Sequence, residues 1–382
     1  MRMLVLGAGL QGTACAYDLL THTPATVTLA DHSAPKLPRI LEPLAGDRLR
    51  IVQVDARDHA AVQEVMRGQD AVMSAFPYYF NLDMARIATN GGAHFCDLGG
   101  NTEIVRHQEG LADEAIRRGI SIVPDCGVAP GMANIIAAEG IRRLDRVDAV
   151  KILVGGLPQH PTPPLNYSIV YSLEGVLDYY TTPSWVLRGG RPTEVDALSE
   201  VELVEFPEVG ALEAFHTGGG VSTMPWVFEG KIPVMEYKTL RYPGHAMLIR
   251  AIRELGLLSV TPISVKGVSV APRDLFIAVV DPKLRKPDAP DLLVLRIVAT
   301  GTRQEKPHSV TFQMLDRADT ARGISAMMRT TGFSLAITGW MQATRIIAPG
   351  AKASWQVTPF EPYVAELRKR GIDIRETGVG EG

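Results

Sequence analysis

The chain has 382 residues, 46% hydrophobic and 21% charged, the balance of a globular protein with room for two domains. Lys and Arg number 39 against 42 Asp and Glu, a net charge of −3 with no basic block, which argues against nucleic acid as a partner. No apolar run reaches the roughly 18 residues of a membrane span, and Cys15, Cys96 and Cys126 form neither a disulfide framework nor a zinc pattern.

The first residues, Met1 to Leu6, run directly into a strand with no charged leader, so a cytoplasmic setting is expected. Up to about residue 140, apolar runs alternate with helical patterns. The runs are Met3–Leu6, Thr26–Ala30, Leu49–Val54, Asp70–Ser74, His94–Cys96 and Ser121–Val123. The helical stretches are Gln11–Leu20, Ala60–Arg67, Asn81–Asn90 and Glu109–Arg118. Continuously apolar strands separated by helices predict an α/β, doubly wound (Rossmann) parallel-sheet domain. Beyond Asn134, Gly and Pro become dense. Runs at Val201–Phe206, Ser264–Val270, Leu292–Thr300 and Ser309–Leu315 predict a second, α+β domain with a mixed sheet. From about Gly323 helices return, at Gly332–Ile347 and Pro359–Arg370, the latter stopped by Gly371. The expected division is 1–134 with 323–382 as one domain and 135–322 as an insertion.

Gly7-Ala8-Gly9-Leu10-Gln11-Gly12 follows the first strand and opens a helix, the context a GxGxxG motif needs. Gly7 permits the turn, Gly9 lets backbone approach a pyrophosphate, and Gly12 lets helix and strand pack closely. Asp31 ends the second strand, where a carboxylate binds the adenosine ribose hydroxyls and repels a 2′-phosphate. NAD is therefore expected over NADP, although Lys36 and Arg39 stand close in sequence. Asp55 is expected either to reach the adenine or to cap the helix beginning near Asp58.

Three further strand ends point at the same crevice. They are Ser74 with Ala75, Phe76, Pro77 and Tyr78; Cys96 with Asp97, Leu98 and two glycines; and Asp125, Cys126, Gly127, Val128, Ala129, Pro130 and Gly131. Ala75, Phe76, Pro77, Leu98, Val128 and Pro130 are expected against the cofactor, with Leu10 and Gln11. Tyr78 and Cys126 are expected near the substrate, Cys126 having a buried core role as its alternative. Asp97 and Asp125 are candidate catalytic acids or, alternatively, turn caps. Gly218–Gly220 lacks a following Lys and is expected to form a turn near the site. His94, His107 and His216 show no ligand spacing, and no metal is expected.

Val128-Ala129-Pro130-Gly131-Met132-Ala133-Asn134 resembles a motif of the saccharopine dehydrogenase-like family. Glu236-Tyr237-Lys238-Thr239-Leu240-Arg241-Tyr242-Pro243-Gly244-His245 resembles a segment of its short branch, the lysine 6-dehydrogenases. Pro164–Ser168, Ser172–Gly175 and Arg329–Phe333 resemble that branch as well, whereas Asp178-Tyr179-Tyr180 departs from the Glu-Tyr expected there. The resemblance implies NAD-linked oxidation of the ε-amine of L-lysine to an imine, then release of ammonia and an aldehyde that cyclises. It implies a homodimer, with the second domain binding substrate. A lysine amine, with a pKa near ~10.4, must lose its proton before hydride leaves. Arg241 suits the substrate carboxylate. Tyr237, Thr239 and Tyr242 are expected to contact substrate, and His245 to shuttle protons or sit near a helix start. The alternative within the family is a saccharopine or carboxynorspermidine reductase, with Arg188, Arg191 or Lys231 meeting a second carboxylate. A non-catalytic NAD-binding regulator is a third possibility.

Overall fold

The computed structural model describes residues 1–33, 37–169, 172–286 and 289–377. The first unit holds β1 (Arg2–Leu6), α1 (Leu10–His22), β2 (Thr26–Asp31), β3 (Leu49–Gln53), α2 (His59–Met66), β4 (Ala71–Ser74) and α3 (Asn81–Gly91). It continues with β5 (His94–Asp97), α4 (Thr102–Glu109), α5 (Ala112–Arg118) and β6 (Ser121–Val123), and α6 (Met132–Arg142) leads out of it.

The strands lie parallel in the order β6-β5-β4-β1-β2-β3, the doubly wound arrangement. Alternate residues divide between its faces. Leu4, Leu6, Val72 and Phe95 bury against Val62, Met66, Met84 and Ala88 of α2 and α3. Met3, Val5, Met73 and Cys96 belong to the opposite core. The expected helix Glu109–Arg118 is the shorter α5, and α4 before it is a further helix that the sequence pattern did not show. Asn101 caps the earlier one by accepting from Glu103 N and Ile104 N, and the chain breaks at Gly110.

The second unit contains β7 (Arg146–Pro158), α7 (Leu173–Thr181), β8 (Ser184–Arg188), β9 (Arg191–Val195), β10 (Glu202–Phe206), β11 (Gly210–His216), α8 (Met224–Val227) and β12 (Val234–Arg241). After α9 (His245–Glu254) come β13 (Ile263–Val265), β14 (Val268–Val270), α10 (Pro272–Leu284), β15 (Asp291–Arg303) and β16 (Lys306–Arg317). The sheet order is β10-β11-β12-β7-β15-β16, with β8 paired to β12 and β9 to β8. β12 and β7 run parallel and the other pairs antiparallel, so the sheet is mixed. The run Ser264–Val270 is a hairpin rather than one strand. Lys266 and Gly267 have φ of 51° and 85°, the left-handed pair a two-residue turn requires.

The chain then returns to the first unit through a π-helical turn, Met328–Gly332, and α11 (Phe333–Ala343). β17 (Gly350–Ala351) pairs with β6, α12 (Ser354–Val357) and α13 (Phe360–Lys369) follow, and β18 (Arg375–Glu376) joins β16. Gln342 Nε2 donates to the carbonyls of Phe95 and Ser121, 2.9 and 3.0 Å away, fixing α11 on the first sheet. A Cβ on Gly332 would stand 2.6 Å from Ala14 Cβ, so only glycine admits this approach to α1. Among the described residues, no helix is long and apolar enough to cross a membrane.

Candidate active site

The Gly-rich loop has the shape its sequence demands. Gly7 has φ of 98°, and a Cβ on Gly12 would lie 1.8 Å from Gly7 O. Beside Gly9 the same test meets nothing within 4 Å, so open space adjoins the first turn of α1. Ala75 O and Phe76 flank Gly7, whereas Pro77 and Leu10 are exposed. Asp31 Oδ2 accepts from Ala8 N at 2.7 Å, and Oδ1 accepts from Ser33 N and Oγ. Burial alone would raise its pKa, but these hydrogen bonds hold it below the usual carboxylate range. An open loop at a helix N-terminus with an ionised acid at the next strand tip fits a dinucleotide. Arg39 opens a short 3-10 helix, and Lys36 lies outside the described residues.

Asp55 does not cap α2. It is exposed and paired with Arg57, whose side chain and backbone donate to it and lower its pKa to about 2. The cap of α2 is Asp58, which accepts from Ala61 N at 3.0 Å.

A cleft of about 180 Å³ opens between the strand tips and the second sheet. Gln11, Leu98, Gly99 and the stretch 127–130 line it from the first unit. Val154, Gly156, Val176, Tyr179, Tyr180, Thr217, Gly218, Tyr237, Thr239 and Arg241 line it from the second, with Met327 and Thr331 of the returning segment. Of the expected residues, the cleft therefore brings together Gln11, Leu98, Val128 and Pro130 with Tyr237, Thr239 and Arg241.

Strand periodicity explains that selection. On β12, Tyr237, Thr239 and Arg241 share one face, and Glu236, Lys238 and Leu240 turn away. Tyr242 stands outside the cleft lining. It continues the other face, and its hydroxyl donates to Pro158 O at 2.9 Å. Thr239 Oγ1 shares a 2.7 Å hydrogen bond with Thr217 Oγ1 and donates to Tyr237 Oη at 3.5 Å, forming a hydroxyl-lined wall. Gly220 crosses the Tyr237 ring so closely that a Cβ there would lie 2.2 Å from Cγ. The glycine run is thus a turn beside the cleft, and Asn134 Nδ2 holds it by donating to Gly220 O.

His245 is not placed as a proton shuttle. It is buried, is not part of the cleft lining, and faces the hydroxyl of Tyr180 at 3.0 Å and Leu165 O at 3.0 Å. Burial and the nearby Arg241 charge push its pKa down to about 3, so it stays neutral. Arg241 Nε donates to Tyr180 Oη at 3.3 Å, and its guanidinium stands over the Tyr167 ring at 5.0 Å.

Asp97 and Asp125 are fully buried behind the cleft wall rather than in it. Asp97 accepts from Gly99 N at 2.7 Å and Gln108 Nε2 at 2.6 Å, the turn-capping alternative. Asp125 accepts from Ser222 Oγ, and its Oδ1 fills the space a Gly99 side chain would need. Burial raises Asp97 to about 6 and Asp125 to about 7 against the pull of these hydrogen bonds, with Asp97's charge adding to the rise of Asp125. Cys126 is a buried core thiol donating to Val123 O at 3.1 Å, and Tyr78 packs on Gly100 outside the cleft lining.

Sequence reasoning missed Tyr179 and Tyr180 as site residues. The N-cap Ser172, accepting from Gly175 N, starts α7, and Val176, Tyr179 and Tyr180 then share its cleft face. That i, i+3, i+4 spacing was the available signal. Thr331 lies in the π-helical turn, inside the segment Arg329–Phe333, where no periodicity marks it as facing the cleft.

Among the described residues, one set of side chains comes together in the manner of metal ligands: Glu200, His216 and Glu236, with ligand atoms within 4.8 Å. It lies on the β12 face turned from the cleft. Arg188 Nη2 bonds Glu200 at 2.7 Å and Glu236 at 2.9 Å, supplying the positive charge the carboxylates need.

Fold and cleft together define a two-domain protein whose Rossmann unit faces a buried, arginine-bearing pocket. Its two halves match two family models, the saccharopine dehydrogenase NADP binding domain over residues 3–123 and the saccharopine dehydrogenase C-terminal domain over residues 127–372. The chain belongs to the saccharopine dehydrogenase family. It is 24% identical over 271 residues to the saccharopine dehydrogenase (NADP(+), L-glutamate-forming) of Saccharomyces cerevisiae, covering 67% of this chain and 58% of that protein. It is 24% identical over 213 residues to the mitochondrial alpha-aminoadipic semialdehyde synthase of Mus musculus, covering 53% of this chain and 23% of that protein. The chain thus spans less than two thirds of the length of these curated relatives. The solved apo saccharopine dehydrogenase (L-Glu forming) of Saccharomyces cerevisiae shares the fold, with a TM-score of 0.80 at 18% identity over 98% of this chain and 99% of that one. So does the homospermidine synthase of Legionella pneumophila in complex with NAD, with a TM-score of 0.70 at 12% identity over 98% and 91%.

Proposed function

We propose that the protein is an NAD-dependent dehydrogenase acting at the C–N bond of a carboxylate-bearing amine, with a saccharopine-type secondary amine as substrate. The observation that carries this reading is the buried face of β12. There Arg241, Thr239 and Tyr237 present a guanidinium and two hydroxyls opposite Leu98 and Val128. Those strand tips are where a doubly wound sheet holds the reactive end of its dinucleotide.

Arg241 takes the carboxylate in a bidentate pair. Tyr237 and Tyr179 are pushed up by burial, so both phenols remain protonated and act as hydrogen-bond donors or acceptors rather than bases. The bound dinucleotide supplies the hydride acceptor. Gly7, Gly9 and Gly12 shape its pyrophosphate cradle, and Asp31 takes the ribose hydroxyls, which favours NAD. The names of the curated relatives support saccharopine, whose oxidation at the lysine-derived ε-carbon gives an imine that water splits into an aldehyde and glutamate.

A second reading, oxidation of L-lysine at the same carbon, has its own support. Arg241 is the one cation among the described residues lining the cleft. Arg188 is engaged with Glu200 and Glu236, Lys231 donates to Val227 O, and Arg191 begins the separate strand β9. A substrate with a single carboxylate fits one cation. Product analysis with NAD and each compound separates the readings: glutamate from saccharopine supports the first, and ammonia from L-lysine the second. NAD binding without turnover of either would favour a regulator. Homodimeric assembly belongs to the same proposal and is tested by light scattering.

A further inference from the structure

Arg241 is held by a chain of side chains that runs away from the cleft. Leu165 O lies 3.0 Å from His245 Nδ1, and a carbonyl can only accept, so Nδ1 carries the ring proton. His245 is neutral, which leaves Nε2 as an acceptor facing Tyr180 Oη at 3.0 Å. The phenol therefore spends its proton on His245 and turns its lone pairs toward Arg241 Nε–H, 3.3 Å away. Arg241 Nη1 meanwhile donates to Leu240 O at 2.9 Å and Gly156 O at 3.4 Å, and Tyr167 lies under the guanidinium plane. Every hydrogen bond in the series has one permitted direction, so the imidazole tautomer sets the orientation of the guanidinium. Tyr180 and Tyr167 also meet the His245 ring, at centroid distances of 5.7 and 5.5 Å, and Phe215 stacks on it at 6.3 Å.

We propose that Tyr180 and His245 are positioning residues that fix the Arg241 guanidinium for the substrate carboxylate. The proposal rests on the reading that Arg241 binds that carboxylate. A flexible arginine would have to be ordered when substrate arrives, and preorganisation removes that cost.

The test uses the full chain with NAD, calorimetric titration of saccharopine and of L-lysine, and the arginine Nε–H spectrum of the ligand-free protein by NMR. In the native protein one Nε–H signal, removed by Arg241→Lys, should exchange slowly with water. Tyr180→Phe and His245→Leu should make it exchange fast and weaken binding of the substrate that binds by about tenfold, without changing NAD affinity. His245→Gln, which keeps an acceptor, should restore most of both. Tyr180→Phe should add no further loss in an Arg241→Met background. A slowly exchanging Nε–H and native affinity in Tyr180→Phe would overturn the proposal. Native affinity in Arg241→Met would overturn the carboxylate reading instead, and the proposal with it, whatever the NMR signal shows.

Discussion

Arg370, just past α13, and Asp18, in α1, form a buried ion pair through two bonds, Nε to Oδ1 at 2.7 Å and Nη2 to Oδ2 at 2.8 Å. This pair joins the end of the chain to its first helix, so the returning segment is tied to the nucleotide-binding unit. Arg370→Ala leaves the buried Asp18 carboxylate with the His22 ring, 3.0 Å away, in place of a bidentate guanidinium, and should cost about 3 kcal/mol. Asp18→Asn in the same chain should recover part of that loss. Urea unfolding of the two variants measures both effects, and an unchanged midpoint for Arg370→Ala would contradict the account.

Asp125 makes stability depend on pH. Its folded pKa of about 7 stands above the ordinary aspartate value of ~3.9. The stability its proton contributes is therefore full below about pH 4 and is lost as pH rises through about 7. Asp125→Asn removes the buried charge and keeps an acceptor for Ser222 Oγ. The variant should match the native protein near pH 4 and exceed it at pH 8 by on the order of 2–4 kcal/mol. Urea titrations at the two pH values decide, and equal stability at pH 8 would contradict the assignment.

Gly220 lets the Tyr237 ring lie across the backbone in the cleft wall. Gly220→Ala must displace that ring, which shifts the hydroxyl beside Thr239. We expect kcat/KM to fall by about tenfold or more, because small displacements of positioning groups are costly, while NAD binding is unchanged. A variant with native kcat/KM would show that Tyr237 does not position substrate.

Asp31 meets both the Gly-rich loop, through Ala8 N, and the position expected for the ribose. Asp31→Ser should weaken NAD binding and narrow the gap between NAD and NADP, read as two dissociation constants. An unchanged preference for NAD would place the discrimination elsewhere.

The first domain was legible because its signals are local. Six apolar runs mark its parallel strands, and Gly7, Gly9 and Gly12 state their geometry within one loop. The second domain hid β7, β8, β9, β11 and β12, whose pairing is set across long stretches of chain. Recognising β12 as a strand would have separated Tyr237, Thr239 and Arg241 from Tyr242 by period alone. Asp97 and Asp125 sit at strand tips as expected. Whether a tip residue faces the ligand or turns under its own loop depends on backbone details such as the φ of 60° at Asp125. The segment 236–245 contains the Arg241 side chain and its distant support, His245, but sequence could not separate the group facing the cleft from the one behind it.

In the proposed reaction, hydride leaves the nitrogen-bearing ε-carbon of a carboxylate-bearing amine in the cleft walled by β12. Both readings of the substrate use that carbon. Saccharopine and L-lysine carrying deuterium there should be incubated with the protein and NAD, and the reduced nicotinamide examined by mass spectrometry. Deuterium is expected in the reduced dinucleotide from one of the two, abolished by Arg241→Met. Reduced nicotinamide without deuterium, or none from either compound in a protein that binds NAD, would contradict it.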